Sequence, residues 1–365
     1  MGFNCGIVGL PNVGKSTLFN ALTATAAAEA ANYPFCTIEP NIGRVGVPDI
    51  RLDTLAKLAA SQKVIPTTLE FVDIAGLVRG ASKGEGLGNQ FLGHIRSVDA
   101  IIHVLRCFED ENITHVEGTV DPLRDKEIIE TELMLSDMES LEKRITNLEK
   151  KIRAKEADAQ TMLSVVQKVL TLLEAGTPGR AFTPTADEKP FFDELQLLTA
   201  KPTLYVCNVQ EDAAGKGNAH TEKVKAMALK ENAKMVVISA NIEAEIAQLS
   251  EPEQKEFLES MGLHEKGLDR VIHEGYALLG LLTFFTVGPK EARAWTVEKG
   301  ATAPQAAGKI HSDFERGFIC ADTIAYDDFV ACKGEHGAKE VGKLRQEGRT
   351  YKVHDGDVFH FKFNV

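Results

Sequence analysis

The hydrophobic and polar positions of the chain form short apolar runs that alternate with segments of helical composition. Three of these runs, Phe3–Val8, Thr67–Val72 and Ala100–Leu105, have the length of a buried strand. Two more, Lys201–Val206 and Lys234–Ile238, resume the same alternation after an interruption. Strands that alternate with helices predict an α/β domain with a mostly parallel sheet and helices on both faces.

The interruption carries a different pattern. Its apolar residues recur at alternating spacings of four and three, which is the seam of a coiled coil. A mostly polar link, 155–160, separates two such seams and predicts an antiparallel coiled-coil hairpin inserted into the α/β domain. Because no Gly or Pro marks a turn in the link, one continuous helix is the alternative. The seams are Met134, Met138, Leu141, Ile145, Leu148 and Ile152, then Met162, Val166, Val169 and Leu173.

Beyond Gly280 the pattern changes again, to strands separated by short turns. Four segments have the composition of strands and surround one predicted helix, Pro304–His311. This arrangement predicts a separate small module of the β-grasp type. The strand segments are Thr283–Val287, Arg293–Val297, Gly317–Cys320 and Val358–Phe363.

Composition narrows the class of protein. The 365 residues are 44% hydrophobic, which allows a sizeable core. The longest near-apolar run, Ala277–Val287, has about half of the ~20 residues that a bilayer requires, so we expect no membrane partner. The six cysteines include no CxxC pair, which favours reduced thiols and a cytoplasmic location.

The segment Gly9-Leu10-Pro11-Asn12-Val13-Gly14-Lys15-Ser16 fits the pattern GxxxxGK[ST], between a predicted strand and a predicted helix. Glycines let backbone N–H groups close around phosphate oxygens, and the helix N-terminus adds a favourable dipole. Lys15 can reach the β- and γ-phosphates, which gives it a catalytic role, and the Ser16 hydroxyl can bind Mg²⁺. The predicted nucleotide-binding residues here are Asn12, Val13, Gly14, Lys15, Ser16 and Thr17.

A second motif, Asp73-Ile74-Ala75-Gly76, follows the predicted strand 67–72. Its carboxylate can hold Mg²⁺ through a water molecule, and Gly76 lets the backbone approach the γ-phosphate. Six glycines from Gly76 to Gly93 indicate a switch segment that orders around that phosphate. Thr37 lies between the two motifs, where a threonine can complete Mg²⁺ coordination. The neighbouring Cys36 is either an incidental thiol or a redox switch.

The residues that would contact the base follow the strand 201–206. GTP-binding proteins of this class use Asn-Lys-x-Asp, whose carboxylate accepts hydrogen bonds from guanine N1–H and the 2-amino group. Here the segment is Asn208-Val209-Gln210-Glu211, with Val209 in place of the lysine and Glu211 in place of the aspartate. The residues that usually select guanine are therefore not all present, which favours adenine as the base. Ser239 and Ala240, after the next strand, complete the predicted base site.

These motifs together resemble the Obg-like P-loop NTPases, and within them the YchF subfamily. The resemblance covers nearly the whole chain and includes Glu70–Val78 and Gly300–His311. It implies an Obg-type nucleotide-binding domain (1–128 and 200–280), an inserted coiled-coil domain (129–199) and a C-terminal β-grasp (TGS) domain (281–365). It also implies a slow ATPase that prefers ATP to GTP, uses Mg²⁺ and binds ribosomes through rRNA or ribosomal proteins. Such a protein regulates translation or a stress response through its nucleotide state, as a monomer or weak dimer.

The position after the second motif holds Leu77, where Ras-like enzymes carry a glutamine that orients water. The resemblance implies a water-positioning histidine instead, and His115 matches its position; a surface-loop histidine is the alternative. In related NTPases that K⁺ stimulates, an asparagine at the position of Asn12 helps to hold K⁺ beside the phosphates. We therefore expect a K⁺ site at Asn12, with a role in loop geometry alone as the alternative.

The net charge of −12 is unevenly distributed. Residues 1–100 and 281–365 each balance their charges, so the whole deficit lies in 101–280. Within that stretch, Lys143–Lys155 has six basic residues against one acidic residue, near the predicted hairpin tip. We predict an RNA or ribosome contact at Lys150, Lys151 and Arg153. A solvated helix face is the alternative.

Three other functions stay open at this point. A GTP-specific Obg-class GTPase acting on ribosomes shares the motifs, although Asn208–Glu211 favours ATP. A small-molecule kinase also uses a phosphate loop, but Thr37 and the Asp73–Gly76 motif are typical of a switch. A binding scaffold without catalysis is the third possibility.

Overall fold

The structure is a computed structural model that describes residues 3–30, 41–74 and 87–364. Of these, residues 3–25, 41–43, 70–74 and 87–271 form one compact unit, and residues 26–30, 44–69 and 272–364 form a second. The domain boundaries expected from the sequence stay a prediction. Within the described ranges, no helix has both the length and the apolar character needed to cross a bilayer.

Twelve strands and fourteen α-helices are described. The strands are β1 (Asn4–Val8), β2 (Ile42–Gly46), β3 (Lys63–Ile65), β4 (Thr68–Asp73), β5 (Ala100–Arg106), β6 (Thr203–Asn208), β7 (Lys234–Ile238), β8 (Leu281–Val287), β9 (Glu291–Glu298), β10 (Phe318–Ala325), β11 (Arg345–Glu347) and β12 (Asp357–Phe363). The helices are α1 (Lys15–Ala30), α2 (Ile50–Leu58), α3 (Leu87–Ser97), α4 (Pro122–Arg153), α5 (Ala159–Glu174), α6 (Lys189–Leu195), α7 (Ala219–Lys230), α8 (Ala240–Ile246), α9 (Glu251–Ser260), α10 (Gly267–Leu278), α11 (Ala303–Ile310), α12 (Ser312–Arg316), α13 (Tyr326–Ala331) and α14 (Glu335–Glu340).

The first sheet has the order β2-β4-β1-β5-β6-β7 and confirms the predicted α/β class. The pairs β1–β4, β1–β5, β5–β6 and β6–β7 are all parallel. Every residue of β5 and of β6 is buried, as expected for strands covered on both faces. Because parallel strands end at the same edge, the segments after β1, β4, β5, β6 and β7 gather there.

The helical hairpin is also confirmed. The α4 and α5 helices pack through the two predicted seams, in which Leu141, Val166 and Val169 are fully buried. The connection 154–158 turns without glycine because Lys155 and Asp158 themselves adopt positive φ angles of 57° and 63°. The alternative of one continuous helix is wrong for this reason: two ordinary residues take the left-handed conformation that a turn requires.

The second unit contains a sheet of order β11-β10-β12-β8-β9-β3, the predicted β-grasp module. One part of it comes from far upstream in the sequence, since β3 pairs in parallel with β9 and α2 packs into the same core. The sequence pattern did not indicate this contribution. The expectation of one helix in the module is wrong as well, because α12, α13 and α14 follow α11. They are five or six residues long, too short for a periodic signal.

We expect Leu141→Ala to destabilise the hairpin, because Leu141 has no exposed surface and its loss leaves a cavity between α4 and α5. The free energy of unfolding should fall by about 3 kcal/mol, measured by urea denaturation. Leu135→Ala, on the same helix but 38% exposed, is the matched control and should change it by less than about 0.5 kcal/mol. Equal effects of the two substitutions would contradict the seam.

Candidate functional site

The predicted phosphate loop connects the end of β1 to the start of α1, as the motif requires. Two of its glycines leave no room for a side chain. A Cβ on Gly9 would lie 2.6 Å from the carbonyl oxygen of Val104, and one on Gly14 would lie 2.2 Å from Nδ2 of Asn208. Gly14 also has a φ angle of +99°, which side-chain-bearing residues rarely adopt. The loop therefore packs closely against β5 and the end of β6, and a side chain at either glycine would clash.

The structure brings Lys15, Ser16 and Asp73 together at the start of α1. Lys15 is buried, and its Nζ donates a hydrogen bond to the carbonyl oxygen of Leu10 at 2.7 Å. Burial lowers the pKa of Lys15 to about 8, and the charge of Asp73 opposes that shift. Burial raises the pKa of Asp73, against the charge of Lys15 and a hydrogen bond from the Ser16 hydroxyl. A poorly solvated ammonium next to backbone N–H groups is well suited to a phosphate anion.

The hydroxyl of Ser16 and the carboxylate of Asp73 are oxygen donors of the kind that Mg²⁺ prefers. The described residues contain no cluster of three or more His, Cys, Asp and Glu side chains that could hold a metal.

Thr37 and Gly76, the other two residues expected near the γ-phosphate and the metal, lie outside the described residues. Cys36 does so too. Their roles stay predictions.

Asn208 connects three segments at the other end of the site. Its Nδ2 donates to the carbonyl oxygen of Val13, and its Oδ1 accepts from the backbone N–H of Ala240, both at 2.9 Å. Ser239 is buried and immediately precedes α8. The asparagine thus holds the phosphate loop, the end of β6 and the start of α8 in one arrangement.

A cleft of about 680 Å³ opens beside Asn208. Its walls include most of the predicted nucleotide-binding residues, which the structure therefore brings together. The predicted residues in its lining are Asn12, Gly14, Thr17, Asn208, Val209, Glu211 and Ala240. The other lining residues were missed: Phe108, Asp110, Ile113, Gln210, Asp212 and Asn241.

Arg106 organises the missed side of the cleft. It is almost fully buried, and its guanidinium donates to the carbonyl oxygens of Phe108 at 3.1 Å and Ile113 at 3.0 Å. It also lies over the Phe108 ring, 4.6 Å from the centroid. A charged residue directly after the apolar run Ala100–Leu105 was the sequence signal that could have identified this loop.

His115 lies outside the lining of the cleft. Its ring is buried, with Nε2 at 2.7 Å from Oδ2 of Asp125, and its Nδ1 accepts from the backbone N–H of Glu117 at 3.1 Å. The acceptor role of Nδ1 places the proton of the neutral ring on Nε2. The structure therefore does not bring His115 to the phosphate loop, although the preceding residue does reach it. Nδ2 of Asn12 donates to the carbonyl oxygen of Thr114 at 3.1 Å.

The basic residues Lys150, Lys151 and Arg153 lie apart from this cleft, exposed in the last turn of α4. Cations at a helix C-terminus interact favourably with the helix dipole, which is a structural reason for their presence.

Two known families match this chain, one over its N-terminal part and one over its C-terminal part. Residues 4–168 match a family described as 50S ribosome-binding GTPase. Residues 281–364 match the family YchF-GTPase_C, described as a protein of unknown function.

Full-length relatives give a consistent result. The chain is 56% identical to "Ribosome-binding ATPase YchF" of Escherichia coli O157:H7 and 55% identical to the protein of that name from Bacillus subtilis, with 100% of each chain covered. Among solved structures, a Schizosaccharomyces pombe YchF GTPase aligns with a TM-score of 0.89 and 37% identity, over 99% of this chain and 98% of the other. With a P-loop, a parallel sheet and a family-specific C-terminal module in place, the chain belongs to the YchF family.

Proposed function

We propose that this protein binds and hydrolyses ATP in preference to GTP, associates with ribosomes and regulates translation or a stress response through its nucleotide state. The observation that carries the base preference is the geometry at Asn208. This residue is locked between the phosphate loop and α8, so the two residues that depart from the guanine-reading motif, Val209 and Glu211, line the adjoining cleft.

The names of the relatives differ on the nucleotide. The bacterial relatives are called ATPases, whereas the yeast structure and the family matching residues 4–168 are called GTPases. The side chains here support ATP. Val209 is buried and carries no charge, and a cleft without the Asn-Lys-x-Asp arrangement lacks the groups that select guanine.

Each part of the phosphate site has a separate task in hydrolysis. The Lys15 ammonium and the loop N–H groups neutralise charge that develops on the phosphates. Ser16 and Asp73 would hold the divalent cation that the P-loop class implies, which we propose is Mg²⁺; when bound, it would stabilise negative charge on the phosphates. Thr37 would be a further ligand of this ion, and the backbone of Gly76 would approach the γ-phosphate.

We further propose that His115 positions the attacking water, that the protein is cytoplasmic, and that it acts as a monomer or weak dimer. The nucleotide-binding domain comprises residues 1–128 and 200–280 in this proposal. The coiled-coil domain comprises residues 129–199, and the TGS domain comprises residues 281–365.

Competition binding tests the base preference. With a fluorescent adenine nucleotide bound, ATP should displace it with an affinity about ten-fold higher than that of GTP, a difference of about 1.4 kcal/mol. The double variant Val209→Lys with Glu211→Asp restores the guanine-reading groups and should shift the ratio toward GTP. Glu256→Asp, an exposed change on α9, is the control and should leave the ratio unchanged. Preferential binding of GTP by the unaltered protein would instead support a GTP-specific Obg-class GTPase.

Ribosome association depends, in this proposal, on local positive charge at the hairpin tip. Sedimentation with ribosomes should recover more protein with a non-hydrolysable ATP analogue than with ADP. Reversing Lys150, Lys151 and Arg153 to Glu should weaken binding at least about ten-fold and reduce its salt dependence, because fewer phosphates are neutralised.

Charge reversal at three exposed lysines of α7, namely Lys223, Lys225 and Lys230, is the matched control for net charge. Full retention of ribosome binding by the tip variant would show that these residues only form a solvated helix face.

Turnover in KCl against NaCl tests the K⁺ site. Asn12 is held at a φ angle of 62° within the phosphate loop, and its amide nitrogen donates to the carbonyl oxygen of Thr114. If it helps to hold K⁺, hydrolysis should be at least about ten-fold faster in KCl, because a cation beside the phosphates stabilises developing charge. Asn12→Ala should remove most of this difference. Equal rates of the unaltered protein in the two salts would leave Asn12 with a role in loop geometry alone.

A further inference from the structure

The ring of His115 is held by the protein at both of its nitrogens. We propose that Asp125 is a positioning residue that latches His115 in a withdrawn position, away from the nucleotide cleft, and that hydrolysis requires this latch to open. The inference rests on the water-positioning role proposed for His115 and adds the group that controls it.

The first argument is access to water. The side chain of His115 is 3% exposed, and that of Asp125 is 2% exposed. Nε2 donates to Oδ2 of Asp125, and the lone pair of Nδ1 is occupied by the N–H of Glu117. A ring with both nitrogens bonded inside the protein cannot orient a water molecule, because no donor or acceptor remains to contact it.

The second argument is the rigidity of the carboxylate. Asp125 lies in the first turn of α4, where Asp121 caps the helix by accepting from the backbone N–H groups of Leu123 and Arg124. The other carboxylate oxygen of Asp125 accepts from the Arg124 guanidinium at 3.2 Å. A carboxylate fixed by its helix and by an arginine gives His115 one defined ring orientation and one tautomer.

The third argument is that the loop backbone already lies beside the phosphate loop. The carbonyl oxygen of Thr114 bonds to Asn12, and that of Ile113 bonds to Arg106. The next residue, His115, bonds through its ring to Asp125 of α4. Opening the contact with Asp125 would therefore free the ring on a segment whose backbone is already bonded to the phosphate loop at Thr114.

Asp125 belongs to α4, which is the first helix of the hairpin. The next residue of α4, Lys126, forms ion pairs with Glu130 and with Glu231 at the end of α7. A partner that shifts the base of α4 would therefore strain the contact between Asp125 and His115.

Histidine labelling with diethylpyrocarbonate, resolved by mass spectrometry of the full chain, tests whether Asp125 holds the ring. His336, with a side chain 90% exposed, is the reactive reference, and the buried His103 is the protected one. We expect His115 to be protected in the unaltered protein. Asp125→Asn should raise its labelling rate about ten-fold, because a hydrogen bond to a charged acceptor becomes a weaker neutral one. An unchanged labelling rate overturns the proposal.

Asp137→Asn is the matched control. Asp137 lies on the same helix, is equally buried, and also accepts several hydrogen bonds, but from Leu198 and Thr199. This variant should leave both the labelling of His115 and the turnover number unchanged. Should Asp125→Asn fail to fold, NMR of the unaltered protein labelled with ¹⁵N-histidine still decides the point. A proton on Nε2 of His115 supports the latch, and a proton on Nδ1 overturns it.

Steady-state hydrolysis tests the consequence. In Asp125→Asn, kcat should rise at least about three-fold with KM for ATP unchanged, because the cleft lining is intact and only the release of His115 is altered. A kcat that stays level or falls, in a variant that unfolds cooperatively, overturns the latch. His115→Ala separates the two claims. If its kcat equals that of the unaltered protein, the role of His115 in hydrolysis fails, while labelling and the tautomer still decide whether Asp125 holds the ring.

Discussion

The side chain of Asn208 sets the geometry on which the rest of the nucleotide site depends. It uses its amide nitrogen on the phosphate loop and its amide oxygen on the start of α8, so it joins segments that are far apart in sequence. The contact is close enough that Gly14 must remain a glycine. An amide can do this because it carries both donors and an acceptor, whereas an aspartate could not donate to Val13. The end of the site that faces the base is thereby fixed relative to the end that faces the phosphates.

Two buried cations, Lys15 and Arg106, lie near these strand ends and have two different roles. Burial lowers the pKa of Lys15 to about 8 although the charge of Asp73 opposes the shift, so its ammonium gains from an incoming phosphate. Arg106 instead donates hydrogen bonds to backbone carbonyl oxygens, and these bonds hold the loop 108–113 in place. One cation is thus available to a ligand and the other is structural, although both are simply basic residues in the sequence.

Much of this organisation could be predicted from the sequence, and the failures have physical reasons. The parallel sheet, the hairpin and the phosphate loop each carry a periodic or fixed-spacing signal, and each was confirmed. The pairing of β3 with β9 carries none, because a three-residue strand has no period and its partner lies more than 200 residues away. The polar link 155–160 did predict where the hairpin turns, but the positive φ angles of Lys155 and Asp158 were not predictable, since nothing in an ordinary residue's identity indicates such an angle. The environment of His115 could not be predicted at all, because it is set by Asp125, a residue in the first turn of α4 ten positions further along.

In our proposal, the first turn of α4 couples the hairpin to hydrolysis, because it carries Asp125, which holds the proposed water-positioning residue His115. A side chain that stayed permanently beside the γ-phosphate would hydrolyse ATP whether or not a partner were present. The carboxylate that holds His115 belongs to α4, the helix whose far end we propose contacts the ribosome, so the ring would be released only when that helix moves. Hydrolysis would then depend on what the arm contacts, and the ATP-bound state would persist until that contact is made.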